Sequence, residues 1–180
     1  MNLPVNASRA ARLNRVQILE AVQRAGTISR SELVPLTGLT PATITNAVRE
    51  LVERRLLEET GRAAPRLAAR AGAPRYLLAL DRDHLRVLAV QQGVTGTQLG
   101  VVDLAGTVRA GTAVPNVPGE PPRVAVRRIA DALHALVARE KLARERILGL
   151  GVGAVGLVDP GRDTVRAAPN LGWSEVPLGP

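Results

Sequence analysis

The sequence contains no cysteine and no phenylalanine, and its aromatic residues are limited to Tyr76 and Trp173. Without cysteine, disulfides and thiolate metal sites are excluded, and a reducing compartment is compatible with the composition. So few aromatic side chains exclude the stacking platforms that bind single-stranded nucleic acid. No apolar run approaches the 18 residues of a transmembrane helix, and the N-terminus lacks a secretory apolar stretch. We therefore expect a cytoplasmic protein with an aliphatic core and no membrane partner.

Positive charge is distributed unevenly along the 180 residues, whose net charge is +8. Residues 1–80 contain 12 arginines and 6 acidic residues, a net charge of +6. Residues 81–180 contain 12 basic and 10 acidic residues, a net charge of +2. A proteome rich in arginine would raise the arginine content of both halves of the chain, so it does not explain this asymmetry. A positive N-terminal half is what binding to nucleic-acid phosphates requires.

Two short helices separated by a tight turn are indicated near the N-terminus by their capping residues. Ser29 followed by Glu32 is the capping-box pattern of a helix start. Gly38 stands where the first helix ends and the chain turns. Thr40 is a suitable cap for the second helix, with Pro41 at its first position, where the missing N–H has no cost. This order is typical of a helix-turn-helix.

The second helix has one apolar face and one polar face. The apolar stripe contains Ile44, Ala47, Val48, Leu51 and Val52. The start of the opposite face carries small or hydrogen-bonding side chains suited to reading base edges in a major groove. These candidate DNA-binding residues are Thr40, Ala42, Thr43, Thr45, Asn46 and Arg49. The alternative is an ordinary helical hairpin whose outer face is only solvated.

Further cationic residues flank this motif. Residues 8–25 are predicted to form a helix, preceded by a loose leader, and Arg12 and Arg15 on it are candidate phosphate contacts. Residues 56–60 and 76–80 are predicted strands on either side of a basic loop, an arrangement typical of a wing. The alternative for this loop is a flexible interdomain linker. The candidate wing contacts are Arg62, Arg66 and Arg70.

From residue 81 the pattern changes, and we place a domain boundary there. The second half alternates short apolar segments with turns, around one amphipathic helix. The predicted strands are 85–90, 99–104, 107–114, 147–152 and 164–167, and the predicted helix is 123–140. The nearly all-apolar segment 147–152 is interpreted as a buried strand. A turn is expected at 158–161, and residues 170–180 are expected to be loop, anchored by Trp173.

Several stretches together resemble the N-terminal part of transcriptional regulators of the ROK family. They are NRVQILEAV from Asn14, SRSELVPLTGLTPATITNAVREL from Ser29, VLAVQQGVTGTQLGVVDLAG from Val87, GLGVGAVGLVDPG from Gly149 and PNLGWSEVPL from Pro169. The resemblance spans nearly the whole chain. It implies an α+β protein with a winged helix-turn-helix domain, residues 1–80. The first part of an actin-like, ribonuclease-H-like sugar-binding domain, residues 81–180, would follow it.

The resemblance also implies partners. Regulators of this family work as homo-oligomers on palindromic double-stranded DNA, and a sugar or sugar phosphate alters their affinity. Gly153 and Gly156, with Asn170 nearby, are the residues at which a sugar would approach the backbone. Close packing between a strand and a helix explains the two glycines equally well.

The sequence departs from the family's sugar kinases at the phosphate loop. Gln91 stands where the kinases have an aspartate, and Gln92 replaces an apolar residue. A neutral amide does not replace the acid near metal-bound phosphate, because phosphoryl transfer depends on charge placement. A tight polar turn is the better interpretation of Gly93, Thr95 and Thr97.

The rest of the kinase machinery is also missing. The family's Asn-Asp pair, its sugar-binding Glu and His, and its zinc site would lie beyond Pro180. We therefore expect a truncated sugar domain with no catalytic residue, no metal and no cofactor.

The leading hypothesis is a sequence-specific DNA-binding repressor of sugar-utilisation genes. Two alternatives are a sugar kinase-like protein that depends on ATP and a module that dimerises without binding DNA. Salt-dependent binding to duplex DNA separates the first from the last.

Overall fold

The computed structural model describes the backbone of residues 3–62 and 76–178 and the side chains of residues 8–61 and 76–178. The chain divides into two compact units, residues 1–85 and 86–180. Within the described parts of the chain, none of the helices has the length and apolar character needed to cross a bilayer.

Unit 1 is a three-helix assembly with a small antiparallel sheet. Its elements are α1 (Leu3–Ala25), β1 (Ile28–Ser29), α2 (Arg30–Thr37), α3 (Pro41–Glu53), β2 (Leu57–Arg62) and β3 (Tyr76–Leu80). The strand order is β1-β3-β2. The expected leader was wrong in part, because α1 already begins at Leu3.

The capping residues act as their sequence pattern predicted. The Glu32 carboxylate accepts hydrogen bonds from the Ser29 N–H (3.0 Å) and from the Ser29 hydroxyl (2.7 Å). Gly38 adopts the left-handed conformation at φ 69°, and its N–H donates to the Val34 carbonyl. Thr40 Oγ1 accepts from the backbone N–H of the third residue of α3 at 3.2 Å. Local chemistry therefore sets both helix starts and the turn between them.

The core of unit 1 is aliphatic. It includes Ile18, Val22, Leu33, Ile44, Val48, Leu51, Leu57 and Leu78. On α1, however, the apolar side chains of Leu13 and Val16 are 55% and 43% exposed. Val16 lies about 200° around the helix from Ile18, so both cannot face α2 and α3.

Unit 2 contains a four-stranded mixed sheet with a helix packed on it. Its elements are β4 (Arg86–Gln92), β5 (Gly96–Val102), β6 (Val108–Pro115), α4 (Pro122–Arg139), β7 (Ile147–Gly153), β8 (Leu157–Asp159), β9 (Thr164–Ala168) and β10 (Trp173–Pro177). The strand order is β6-β5-β4-β7, and only β4 and β7 are parallel. Leu88, Val90, Leu99 and Val101 of the sheet pack against α4. The helix contributes Leu133 and Leu136.

A second sheet, in the order β10-β9-β8, closes the chain. The expected turn at 158–161 and the expected loop from residue 170 were both wrong in part. Residues 157–159 form β8, and Trp173–Pro177 form β10, which pairs antiparallel with β9. Trp173 and Val176 are buried together with Val165, and their shared burial stabilises the strand β10. The polar residues around them in the sequence did not indicate a strand.

The interpretation of residues 147–152 as a buried strand was wrong. In β7, Leu148 and Leu150 are each 53% exposed, and Val152 is 44% exposed. Among the described residues, β7 pairs only with β4 and therefore forms an edge of the sheet. Composition predicted the strand correctly, but it did not reveal that one side of the strand has no neighbour in the described chain.

Candidate nucleic-acid interface

The polar face of α3 points away from the core of unit 1. Ile44, Val48 and Leu51 are at most 1% exposed, whereas the residues predicted to read DNA lie on the opposite side. Thr43 is half-buried. The exposed members of the set are Thr40, Ala42, Thr45, Asn46 and Arg49. The buried stripe thus determines which face remains available to a partner.

Hydrogen bonds within the helix order this face. The Arg49 guanidinium donates to Asn46 Oδ1 at 3.2 Å, one turn apart. The Thr45 hydroxyl donates to the Pro41 carbonyl at 2.9 Å. An amide and a guanidinium side by side present the donors that bind adenine and guanine edges.

The two arginines predicted on α1 differ in their surroundings. Arg12 is exposed. Arg15 forms an ion pair with Glu50 of α3 at 2.8 Å, and its side chain is only 24% exposed. Glu50 also accepts from Arg54 at 2.9 Å. Arg15 therefore joins α1 to α3, a role that its sequence position did not reveal.

The loop 63–75 connects two paired strands. β2 and β3 pair antiparallel from Leu57 opposite Leu80 to Arg62 opposite Tyr76. The basic segment is thus the connection of a hairpin in unit 1, as a wing requires, and is not an interdomain linker. The predicted contacts Arg66 and Arg70 lie outside the described residues, as does the side chain of Arg62.

An ion pair fastens this hairpin to the helix-turn-helix. Arg30, the first residue of α2, lies 2.6 Å from the Glu59 carboxylate on β2. The sequence did not single out this pair, because its members are 29 positions apart.

In unit 2, two of the residues that the resemblance assigned to sugar binding are glycines with close neighbours. A Cβ built on Gly156, at φ 105°, would collide with the Ala167 carbonyl oxygen. A Cβ on Gly153 would collide with the side-chain amide of Gln91. Close packing against backbone therefore explains Gly156, whereas the atoms near Gly153 belong to the end of a flexible side chain. Asn170 is exposed and lies on the wall of a cavity that Trp173 also lines.

The turn after β4 is held by the protein's own hydrogen bonds. The Gly93 N–H donates to the Gly96 carbonyl at 2.9 Å. The Asn116 amide donates to the carbonyls of Gly93 and Val94, both at 2.8 Å. Thr97 is fully buried. This geometry favours the polar-turn interpretation over a phosphate loop.

Glu120 and Arg128 form an ion pair at the same cavity, and sequence reasoning did not identify it. Arg128 donates to both carboxylate oxygens, at 3.1 Å from Nε and 2.8 Å from a terminal nitrogen. The hydrogen bond from Arg128 lowers the pKa of Glu120, and the same bond raises the pKa of Arg128. A spacing of eight residues across a helix start gives no sequence motif.

Family models agree with this division of the chain. The model of the MarR family matches residues 12–66, which include the helix-turn-helix. The model of the ROK family matches residues 87–179, more than half of the sequence. The chain belongs to the ROK family. The family resemblance and the α+β fold class predicted from sequence are thereby confirmed.

Several relatives of this ROK-family chain carry functional names. The xylose repressor of Caldicellulosiruptor bescii is 25% identical over 173 residues, which cover 96% of this chain and 42% of that protein. A transcriptional regulator of Mycobacterium tuberculosis is 29% identical over 163 residues, which cover 91% of this chain and 36% of that regulator. These relatives are regulators, as their names state.

A solved structure has the same fold. A ROK family transcriptional regulator, described as a homolog of the Escherichia coli MLC protein, superposes with a TM-score of 0.74 at 22% identity. The match covers 95% of this chain and 42% of that chain. The ROK-family chain thus spans less than half the length of these relatives.

Proposed function

We propose that this chain is a sequence-specific double-stranded DNA-binding regulator, a repressor of sugar-utilisation genes that acts in the cytoplasm. The supporting observation is the polar face of α3, on which Asn46 and Arg49 are exposed and paired while Ile44 and Val48 anchor the helix. Arg12 and the hairpin between β2 and β3 supply phosphate and wing contacts. The regulators among its relatives support the same proposal.

A homo-oligomer on a palindromic site is part of this proposal. The exposed side chains of Leu13 and Val16 on α1 offer an apolar surface for a second copy. The two side chains are three positions apart and therefore lie on the same face of α1. Sedimentation of the full chain tests it, and replacement of Leu13 by glutamate is expected to shift an oligomer toward monomer.

We also propose that unit 2 binds a sugar or sugar-phosphate effector and does not catalyse phosphoryl transfer. Gln91 supplies no acid at the turn after β4, and that turn is closed by its own hydrogen bonds. The xylose repressors among the relatives support a pentose as the first sugar to test. Nucleotide hydrolysis that depends on an added sugar would contradict this part of the proposal.

Selection from random duplex DNA with the full chain tests the DNA function. We expect enrichment of one site and a strong fall in affinity with salt, with a slope of about −0.9 per phosphate contact. Addition of D-xylose to the selected complex is expected to change the affinity by roughly 5–150-fold if xylose is the effector.

Two results would overturn the proposal for unit 1. One is no enrichment over a scrambled duplex, and the other is binding that does not respond to salt. Either result, combined with self-association, would leave a module that dimerises without reading DNA.

A further inference from the structure

The Asn46 amide and the Arg49 guanidinium form a hydrogen-bonded pair on the exposed face of α3. Arg49 donates to Asn46 Oδ1 at 3.2 Å, and both residues are exposed. The bond engages the amide oxygen, which is the acceptor of asparagine, and leaves the Nδ2 group with both of its hydrogens. Neither this Nδ2 group nor the other N–H groups of Arg49 bind any residue that the structure describes. The pair therefore offers several free donors, whereas its acceptor oxygen already binds a cation.

Carboxylates do not compete for these donors. The sequence has no acidic residue between Glu32 and Glu50, and Glu50 is itself engaged in two ion pairs. Glu53 is exposed one turn after Arg49, yet the hydrogen bond of Arg49 is to Asn46, one turn closer to the start of the helix. The donors thus point toward the first turns of α3, the part of such a helix that contacts base edges.

The threonine hydroxyls of the same face are engaged by groups of the helix itself. Thr45 donates its hydroxyl hydrogen to the Pro41 carbonyl at 2.9 Å. The hydroxyls of Thr40 and Thr43 bind each other at 2.9 Å, and Thr40 Oγ1 also accepts the Thr43 N–H at 3.2 Å. The amide and the guanidinium are therefore the main side-chain donors that this face has left for a base.

The major-groove edges of purines differ in what they offer to such donors. Guanine presents two acceptors, N7 and O6, whereas adenine presents one acceptor, N7, beside its N6 amino group. Asparagine binds adenine when its amide donates to N7 and also accepts from N6. Here the N6 amino group would approach an oxygen that already binds the Arg49 guanidinium, and two donors would face each other. Guanine creates no such conflict.

We propose that the pair formed by Asn46 and Arg49 binds guanine, with the Asn46 Nδ2 group and the Arg49 guanidinium donating to guanine edges in neighbouring base pairs. Three positions along a helix span about 4.5 Å, which is close to the spacing of about 3.4 Å between stacked base pairs. The proposal deepens the DNA-binding part of the proposed function and rests on it. It assigns Asn46 to guanine, although an isolated asparagine is suited to adenine.

Duplexes with a modified base test the proposal. The site of the full chain is selected from random duplex DNA, and each guanine of a half-site is then replaced by 7-deazaguanine, which has a C–H group in place of N7. At two neighbouring base pairs this change is expected to weaken binding by roughly 2–13-fold, the range for one lost hydrogen bond. In Asn46→Ala and in Arg49→Ala, the same change should have no effect at the guanine that the missing side chain contacts.

Asn46→Asp exchanges the donors for a carboxylate and keeps an oxygen for Arg49. A carboxylate accepts from the amino group of cytosine, so selection with Asn46→Asp is expected to replace one guanine of the half-site by cytosine. A loss of helix stability would not change the preferred base in this way. Gln23→Asp is the matched control, because Gln23 is an exposed amide on α1 and the variant adds the same charge. It is expected to select the parent site.

Three results would overturn the assignment to guanine. They are adenine or thymine at the positions that respond to Asn46→Ala and Arg49→Ala, 7-deazaguanine without effect on the parent protein, and selection of the same guanines by Asn46→Asp. In each case the DNA-binding function stands, because a site has been selected. If no site is selected, the DNA-binding proposal itself fails, and the assignment to guanine fails with it.

Discussion

The Arg15 guanidinium on α1 donates a hydrogen bond to the Glu50 carboxylate on α3 across 2.8 Å, and both side chains are partly buried. The two residues are 35 positions apart, and they connect the first helix to the one that presents the polar face. The ion pair therefore links the orientation of α3 to the rest of unit 1.

A double-mutant cycle measures this link. Arg15→Ala and Glu50→Ala are expected to couple by about 0.2–1 kcal/mol in urea unfolding, the range of exposed and partly exposed pairs. DNA affinity of Arg15→Ala should depend on salt as in the parent protein. If Arg15→Ala unfolds in urea like the parent protein, and the slope of log affinity against log salt concentration falls in magnitude by about one, Arg15 is a phosphate contact.

Arg49→Ala tests base reading at the polar face of α3. Its guanidinium is exposed and aligned by Asn46, so its loss is expected to reduce discrimination between the selected and scrambled duplex by roughly 1–3 kcal/mol. Arg66→Ala, in the loop 63–75, is expected to weaken all duplexes alike and to flatten the salt slope. Identical behaviour of the two variants in a binding titration would contradict this division of roles.

Thr40→Ala removes the cap of α3. Because Thr40 Oγ1 accepts the Thr43 N–H, we expect the free energy of unfolding to fall by about 0.5–2 kcal/mol. Thr40→Ser retains the oxygen and should lie close to the parent protein in a denaturant titration. Equal losses for alanine and serine would show that the cap hydrogen bond is not the cause.

Gly156→Ala tests whether this glycine is structural. Its φ of 105° and the nearby Ala167 carbonyl leave no place for a methyl group, so thermal unfolding should occur at a clearly lower temperature. Gly149→Ala is the matched control, since nothing lies within 4 Å of its built Cβ. If both variants melt like the parent protein, packing does not require Gly156.

Glu120→Gln tests the ion pair with Arg128 through its pH dependence. Because the hydrogen bond from Arg128 lowers the Glu120 pKa in the folded state, the pair stabilises the protein above the ordinary carboxyl pKa of about 4.3. That contribution is lost as the pH falls through the lowered folded-state pKa. Melting temperatures from pH 7 to pH 3 should therefore converge for the two proteins toward acid, and a difference independent of pH would exclude the charge as its source.

Local chemistry explains why the helix-turn-helix could be predicted. Ser29, Gly38 and Thr40 act on backbone groups within four residues of themselves, so their positions in the sequence already determine where α2 begins and ends and where α3 begins. The helical spacing of apolar residues in α3 also predicted its buried face correctly. Ile44, Val48 and Leu51 share one side of a helix of 3.6 residues per turn, and all three are buried.

Other features depend on partners far away in the chain. The exposed strand β7 was expected to be buried, because a run such as ILGLGV shows apolar character but not which neighbours are present. β10 was expected to be loop, because its stability comes from Trp173 packing on Val165. Gln92 was noticed as a departure from an apolar residue, but its position on the wall of a cavity depends on segments that are distant in the sequence.

The sequence by itself determined the starts of α2 and α3, the polar face of α3 and the concentration of positive charge in residues 1–80. These follow from capping, periodicity and composition, which act over one or two helical turns or over the whole chain. The family was indicated by the resemblance of several stretches to known regulators. Only the tertiary structure decided that Arg15 is bound by Glu50, that close packing requires Gly156 and that Gln92 lies beside Trp173. Such relationships arise because folding brings distant residues together, and linear spacing does not record those distances.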